Sequence, residues 1–583
     1  MQAVLFLVVS IIVVAATQLR LIVAGQTAGL PFDSDGWTRL LRVRELWNTG
    51  EWFPALLPHL SAPEGLSLHW TRPLDVLILG GAWIGVRVFG AEPDQAILLA
   101  GSLLCPLLYV GVVLAAGWAA RIAWPEVTLA PYFALVALIG NGPLKAYTML
   151  GRADHHVLVV LAALIGLGFA LRAVDAARPA RPAFAAGIAF GCGIWVVPEA
   201  LIVAVPVCIA FGAQWLVLRD GTDAARQGLW TALGMAATLA VAILVERPAA
   251  DWFTTEYDRV SMHHLVLALL MAAVFLGARR VGGLPRLARA ATGGVLAAAA
   301  GGLLLWLYPG TMGTAMSAAL SLPDIQEMRP IGFRTGEEWR DALVFVGIAP
   351  AAFIGLAAMA WTGRGHARWR QASLLVGPLL LTLLATLAHR RFGAVLGPVA
   401  ALCAAGLIGL AARAQLGAVL RVPLMLGALL LLVPAVAGEA IPAAPADAAA
   451  NGQEAGGARG CEPAFLIPWL QTARPAARAI VLTSEFDNTA ELAWRTTLRF
   501  VAAPYHRGQD ALADTVAFFR ATDDAAAEAV LRRRQISYVL LCPGSFVSDG
   551  GFARRLAAGD APGWLEPIAA PVGAGEARLW RVR

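Results

Sequence analysis

MLGRADHHVLVV, residues 149–160, sets an arginine, an aspartate and two histidines directly against an apolar run that carries no further charge until Arg172. Such groups are costly inside hydrocarbon, and near a membrane they mark function more often than packing. They stand at the mouth of the run and not within it. The reading of the whole chain therefore turns on which side of a membrane this mouth faces, and on what else reaches the same place.

The run is one of many. Of 583 residues, 58% are hydrophobic and only 14% are charged, with a mean hydropathy of +0.67; a soluble domain carries about a quarter of its residues as charge. Stretches of about 18 or more apolar residues read as membrane spans, and they recur from the N-terminus to about Leu432. This composition describes a polytopic α-helical membrane protein. The net charge of +6 sits mostly in short loops, where it sets orientation, so it is no sign of a nucleic-acid partner. Residues 1–25 show no small-residue cleavage site and are expected to remain as a first span.

Outward from DHH the loops alternate in charge. RAVDAARPARP (172–182), LRDGTDAARQ (218–227), ARRVGGLPRLARA (278–290) and TGRGHARWRQ (362–371) are basic, and are expected on the cytoplasmic side. Facing them are DHH, the turn at Pro198 and Glu199, RPAADWFTTEYDR (247–259), the loop 309–341, residues 389–392 and everything after Glu439. Between the first loop (26–72) and DHH lie three apolar helices, near 74–90, 96–120 and 127–141. Three crossings would break the alternation, so one must fail to cross. LDVLILGGAWIGVRVFG (74–90) is short, Gly-rich and interrupted by Arg87, and is assigned to the membrane surface. About 13 spans follow, with the N-terminus in the cytoplasm. The chain divides into a membrane domain (1–438), an Ala/Gly/Pro-rich linker (439–462) and a small extracytoplasmic α/β domain (463–583). In that domain AIVLT (479–483) and ISYVLLC (536–542) read as buried strands, and residues 511–521 and 524–534 as helices. Of six cysteines, Cys461 and Cys542 lie in this tail, where an oxidising compartment permits a disulfide that spacing alone cannot establish.

Four polar groups share the outer side. Asp33 and Asp35 precede a helix read as amphipathic, with Arg39, Arg42 and Arg44; one of the two aspartates suits a helix N-cap. Asp154 and His156, with His155 and Arg152 beside them, form a carboxylate–imidazole pair fit for Mn²⁺, with Mg²⁺ preferring oxygen alone. Glu327 lies in an apolar setting between Ile325 and Met328. Arg390 and Arg391, after His389, offer guanidinium forks for phosphate at the end of a span. A cation held by carboxylates and a histidine, with arginines at lipid height, suits departure of a sugar from a lipid-linked phosphate. The chain has no phosphate-binding glycine loop or nucleophile elbow that would point elsewhere.

In these motifs the sequence resembles the catalytic subunit of oligosaccharyltransferase, a GT-C membrane glycosyltransferase. DSDGWTRLLRVRELWNTGEW (33–52) looks like that family's first loop, GRADHH (151–156) like its Asp-x-His motif, DIQEMRP (324–330) like its fifth-loop glutamate, and RRF (390–392) like its donor-phosphate arginine. The resemblance implies a divalent metal, Mn or Mg, on Asp35, Asp154, His156 and Glu327. It also implies that Asp35, Asp154 and Glu327 are catalytic, with Asp33 and His155 as secondary candidates. Donor phosphate falls to Arg391, Arg390 and, from LSLHWTRPLD (66–75), His69. In the tail, VLTSEFDNTAELAWRTTLRF (481–500) follows the order of the family's acceptor region, with Asp487 at the motif aspartate. Glu485, Phe486, Asn488 and Thr489 stand where that motif has Trp, Trp, Tyr and Gly, so acceptor recognition is expected to differ from sequon reading. The expected activity is metal-dependent transfer of a sugar or oligosaccharide from a polyprenyl-linked phosphate donor to a protein, glycan or lipid acceptor. The expected place is a bacterial inner membrane, with the site on the periplasmic side. The rival expectations are a lipid or envelope-glycan transporter, and a non-catalytic scaffold for envelope assembly.

Overall fold

The computed structural model describes residues 2–23, 33–53, 56–312, 326–362, 366–413, 418–432, 434, 461–472, 478–542, 544, 546, 550–571 and 576–583. Ten helices among them are long and apolar enough to cross a membrane, and three shorter apolar helices accompany them. The 439–460 part of the expected linker lies outside the described residues, as do Asp324 and Ile325 of the expected glutamate motif.

The two ends of the bundle sort by charge as the loops predict. At one end the basic loops meet. Arg368 pairs with Glu126, Gln371 bonds Asp175 at 2.7 Å, Arg370 bonds Gln227 at 2.7 Å, and Arg289 caps the carbonyl of Trp215 at 2.6 Å. At the other end the first loop, the DHH turn, residues 197–200, the 247–261 loop and the 389–392 turn converge. There Arg72 N–H donates to Glu246 at 2.7 Å, Thr71 bonds the Val196 carbonyl and Arg391 pairs with Glu199. The helix α3 (Pro73–Phe89) starts and finishes at this end, since Arg72 precedes it and Asp94, just beyond it, lies 3.7 Å from Arg44 of the first loop. The parity argument requires this, because α4 (Pro93–Ala123) leaves this end and the chain must return to it before Asp154. It returns by a broken path and not by a single span over 127–141. The helix α5 (Ala130–Ile139) stops at Gly140, Asn141 caps the next turn by accepting from Leu144 N–H at 2.7 Å, and α6 (Gly142–Thr148) leads to the DHH turn.

The helix α2 (Ser34–Thr49) corrects the amphipathic reading of the first loop. It is buried around most of its circumference, and Arg39 and Arg42 are 1% and 2% exposed. The reason is Asp75 on α3, fully buried, with oxygens 2.9 Å from Arg39, 3.0 Å from Arg42 and 3.3 Å from Arg72. Although burial pushes the Asp75 carboxyl up, the three guanidiniums together hold it below the usual carboxylate range. Gly50, at φ 69°, ends α2 in the left-handed turn that glycine tolerates best.

The C-terminal domain is built on a five-stranded mixed sheet. The strands β3 (Ile480–Thr483) and β5 (Tyr538–Leu541) run parallel at its centre and are buried throughout, as the unbroken apolar runs predict. The strand β4 (Arg499–Phe500) flanks β3 in parallel, while β7 (Arg578–Val582) and β6 (Leu565–Ile568) add an antiparallel side. The edge at β4 is covered by the first loop: Phe500 N–H donates to the His59 carbonyl at 2.8 Å, and Ala62 N–H to the Phe500 carbonyl at 3.0 Å. The helix Thr489–Arg495 packs on α2, where Arg44 donates to the Trp494 carbonyl at 2.8 Å. A disulfide joins Cys461 to Cys542 with Cα atoms 5.8 Å apart.

Candidate active site

Asp33 and Asp35 divide the labour that the sequence left open. Asp33 is the N-cap of α2: its backbone is extended and its Oδ1 accepts from Gly36 N–H at 2.8 Å. Its other oxygen lies 3.0 Å from Arg152 Nε. Asp35 sits in the first turn, only partly accessible, and its Oδ1 accepts from the Tyr505 hydroxyl at 2.9 Å. Enclosure, then the charges of Asp33, Asp154 and Glu327, push the Asp35 carboxyl up to about 7.

The DHH turn is made possible by Gly151, whose φ of 90° a side chain would oppose. The chain then reverses into α7 (His156–Asp175), and Asp154, 2% exposed, is pinned from both sides. Its N–H contacts Cys105 sulfur at 3.3 Å, and its Oδ1 accepts from His156 N–H at 2.9 Å and lies 2.6 Å from His156 Nδ1. Asp154 thus begins the helix and also faces the imidazole it was expected to meet. Burial would raise its carboxyl, but His156, Arg152 and His155 hold it well below the usual range. The Arg152 guanidinium bridges Asp154 and Asp33 and lies over the Tyr147 ring at 4.7 Å.

Glu327 arrives from the far loop on a short 3-10 turn, Gln326–Met328, and its Oε2 accepts from the Tyr147 hydroxyl at 2.8 Å. The chain beyond it is tied to the 389–392 turn: His389 Nδ1 lies 2.9 Å from the Met328 carbonyl, and Arg390 N–H donates to the Arg329 carbonyl at 3.1 Å. The two arginines then part. Arg391, paired with Glu199, lines a narrow pocket with His156 and Phe392. Arg390 pairs instead with Asp341 at 2.8 Å.

Asp33, Asp35, Asp154 and Glu327 thus act on one another at a single place, with Arg152 the cation paired to two of them. The mutual repulsion that raises Asp35 is what a divalent cation would relieve. Ligand atoms of Asp154, His155 and His156 lie within 4.8 Å of one another. Carboxylates with imidazole suit Mn²⁺ or Zn²⁺. The residues fit a divalent metal.

Asp487 stands elsewhere, whereas His69 lies close enough to His155 to act on its charge. His69 groups with Asp258 and His506. Asp487 is exposed in the loop after β3, its N–H donating to Glu485 at 3.2 Å, and no described hydrogen bond or ion pair joins it to the carboxylates. Phe486 is buried in the domain core, so it presents no ring to a ligand beside Asp487. Sequence reasoning missed Tyr147, Glu199 and Tyr505. Glu199 carried a usable signal, as an acid in a turn already placed on this side. The two tyrosines carried none, because each reaches its carboxylate across at least 180 residues of chain.

No protein-family model and no curated protein matches the sequence. Among solved structures, the chain is similar to the archaeal oligosaccharyltransferase AglB from Archaeoglobus fulgidus. Against its apo form the TM-score is 0.70 at 17% identity, over 97% of this chain and 73% of that one. Against its complex with an inhibitory peptide and a dolichol-phosphate the TM-score is 0.69 at 15% identity, over 93% and 69%. Against its complex with Zn and sulfate the TM-score is 0.64 at 17% identity, over 92% and 67%. At these identities the likeness establishes the fold alone, which is that of these oligosaccharyltransferase structures.

Proposed function

We propose that this chain is a metal-dependent glycosyltransferase that moves a sugar or oligosaccharide from a polyprenyl-linked phosphate to an acceptor outside the cytoplasm. The convergence of Asp35, Asp154 and Glu327, from three distant loops, beside His156 carries this reading. The AglB complexes add that a protein of this fold binds dolichol-phosphate and an acceptor peptide.

Asp35, Asp154, His156 and Glu327 would hold the cation, which when bound neutralises charge developing on the departing phosphate. The protein's own groups set the stage. Tyr505 and Tyr147 donate hydrogen bonds that fix one oxygen each of Asp35 and Glu327, leaving the second oxygen of each to turn inward. Arg391, beside His156, is placed to exchange Glu199 for a lipid phosphate, with the fork geometry that phosphate favours. Asp35, raised toward neutrality in pKa, is also placed to take a proton from an acceptor. The acceptor is not recognised by a tryptophan-lined sequon pocket, since Glu485 and the inward-facing Phe486 occupy the first two motif positions.

The basic loops at the opposite end, together with a disulfide on this one, support a site and C-terminal domain outside the cytoplasm, as expected of a bacterial inner-membrane enzyme. Purified chain in lipid, given a polyprenyl-phosphate-linked sugar and divalent cation, should release the polyprenyl phosphate, and chelation should stop it. Release that survives both chelation and Asp154→Asn would defeat the reading.

A further inference from the structure

A second ligand-rich group lies at the junction between the C-terminal domain and the membrane domain. His69 comes from the end of the first loop, Asp258 from the loop after α10 (Thr222–Glu246), and His506 from the 3-10 turn that follows β4. One ligand atom from each lies within 4.8 Å of the others, and all three residues are partly exposed, so a cation could enter. The His69 and His506 rings are 4.7 Å apart. His506 Nε2 is 2.8 Å from Asp258 Oδ2.

One atom here lacks what burial demands. His69 Nδ1 is buried with no hydrogen-bond partner among the described residues, whereas His506 and Asp258 contact each other. Asp258 is paired with both His506 and Arg507, whose Nη2 lies 2.7 Å from Oδ1. Arg507 is itself balanced by Glu256 at 2.9 Å. Ligating carboxylates are commonly held by such outer partners.

We propose that His69, Asp258 and His506 form a second divalent-cation site, suited to Zn²⁺, that ties the C-terminal domain to two loops of the membrane domain. Two imidazoles and a carboxylate with one open position form an ordinary zinc donor set. The cation takes the place of the proton between Asp258 Oδ2 and His506 Nε2. With bonds of roughly 2.0–2.1 Å, tetrahedral ligand atoms stand about 3.4 Å apart, so the Asp258–His506 contact opens by about half an ångström while His69 closes in. Arg507 remains on Oδ1.

The full-length chain, stripped of metal and dialysed against zinc alone, is assayed for zinc per chain by mass spectrometry. Wild type should hold two equivalents, with one lost in Asp154→Asn, one in His506→Gln and both in the double variant. His506→Gln also removes a hydrogen bond, so His69→Gln, which removes a partnerless nitrogen, must lose the same equivalent. In the Asp154→Asn background, zinc should still raise the unfolding temperature, and His69→Gln should abolish that rise. A single equivalent that both histidine variants retain and Asp154→Asn loses overturns the clasp and leaves the proposed activity standing. A single equivalent lost in the histidine variants and kept in Asp154→Asn upholds the clasp and counts against the catalytic metal. Wild type without bound zinc overturns the clasp.

Discussion

Around Asp75 three guanidiniums converge on one carboxylate, whereas beside it four carboxylates gather at Arg152, which pairs with two of them. The two clusters touch through Arg39, whose Nη2 lies 3.4 Å from His155 Nδ1. They differ in how the surplus charge is met. The surplus guanidiniums find carbonyls and a ring: Arg42 donates to the Trp70 carbonyl at 2.6 Å, Arg72 to that of Trp52 at 2.9 Å, and Arg39 lies over Trp70 at 4.1 Å. The surplus carboxylates find two tyrosine hydroxyls, a cap N–H and one histidine, too little to offset their repulsion. A buried charge satisfied by the chain is architecture. A buried charge left in deficit waits for something from outside.

The sharpest way to break this contrast is Asp154→Asn. Transfer should fall by about 10²–10³-fold, the scale set by losing one fixed electrostatic partner of a transition state. Far-UV circular dichroism and elution should stay those of wild type. Chelation of wild type should give the same loss and cation should restore it. Wild-type turnover in this variant would mean that the carboxylates are as architectural as Asp75.

The next effect separates the clusters by stability. Asp75→Asn leaves three buried guanidiniums facing a neutral amide and should cost about 3–5 kcal/mol in the metal-free chain. Asp35→Asn should do the opposite there, holding or raising the unfolding temperature, because it removes one of several repelling carboxylates. Thermal unfolding of both variants without metal reads the two signs directly. Equal destabilisation would erase the distinction.

Much of this contrast was legible in the sequence, but unevenly. The sorting of loops by charge separated the two ends of the bundle, and with them came the expectation that α3 returns to the end it leaves, because hydropathy and Lys/Arg bias are local signals. Asp35, Asp154, His156 and Glu327 could be chosen for the same reason: each sits beside a turn or an apolar run that singles it out. Arg39 and Arg42 read as the polar stripe of an amphipathic helix, since nothing near α2 announces Asp75 some 30 residues on. Tyr505, His506 and Asp258 were invisible in a different way. They join loops of two domains, and a contact such as Tyr505 to Asp35, 470 residues apart, leaves no periodicity to read. The strands β4, β6 and β7 are two to five residues long, too short for alternation to show.

That domain-bridging contact has its own test. Tyr505→Phe keeps the ring packed against Trp70 but removes the hydroxyl from Asp35. Partners that orient a ligand are worth roughly 10–100-fold in metal affinity. Titration with Mn²⁺ should show such a weakening, with most activity recovered at saturating cation. Activity that stays low at saturation would give the hydroxyl a role beyond holding Asp35.

The smallest expected effect decides between Asp33 and Asp35. Asparagine caps a helix about as well as aspartate, so Asp33→Asn should leave α2 intact and the Gly36 N–H satisfied. It does remove one of the two carboxylates paired with Arg152, but Asp154 remains. Turnover and cation affinity should therefore change only a few-fold, while Asp35→Asn falls with Asp154→Asn. If Asp33→Asn instead proves as damaging as Asp154→Asn, the cap is also a ligand. The deficit of positive charge would then be shared by all four carboxylates, and would not centre on the three that no cap holds.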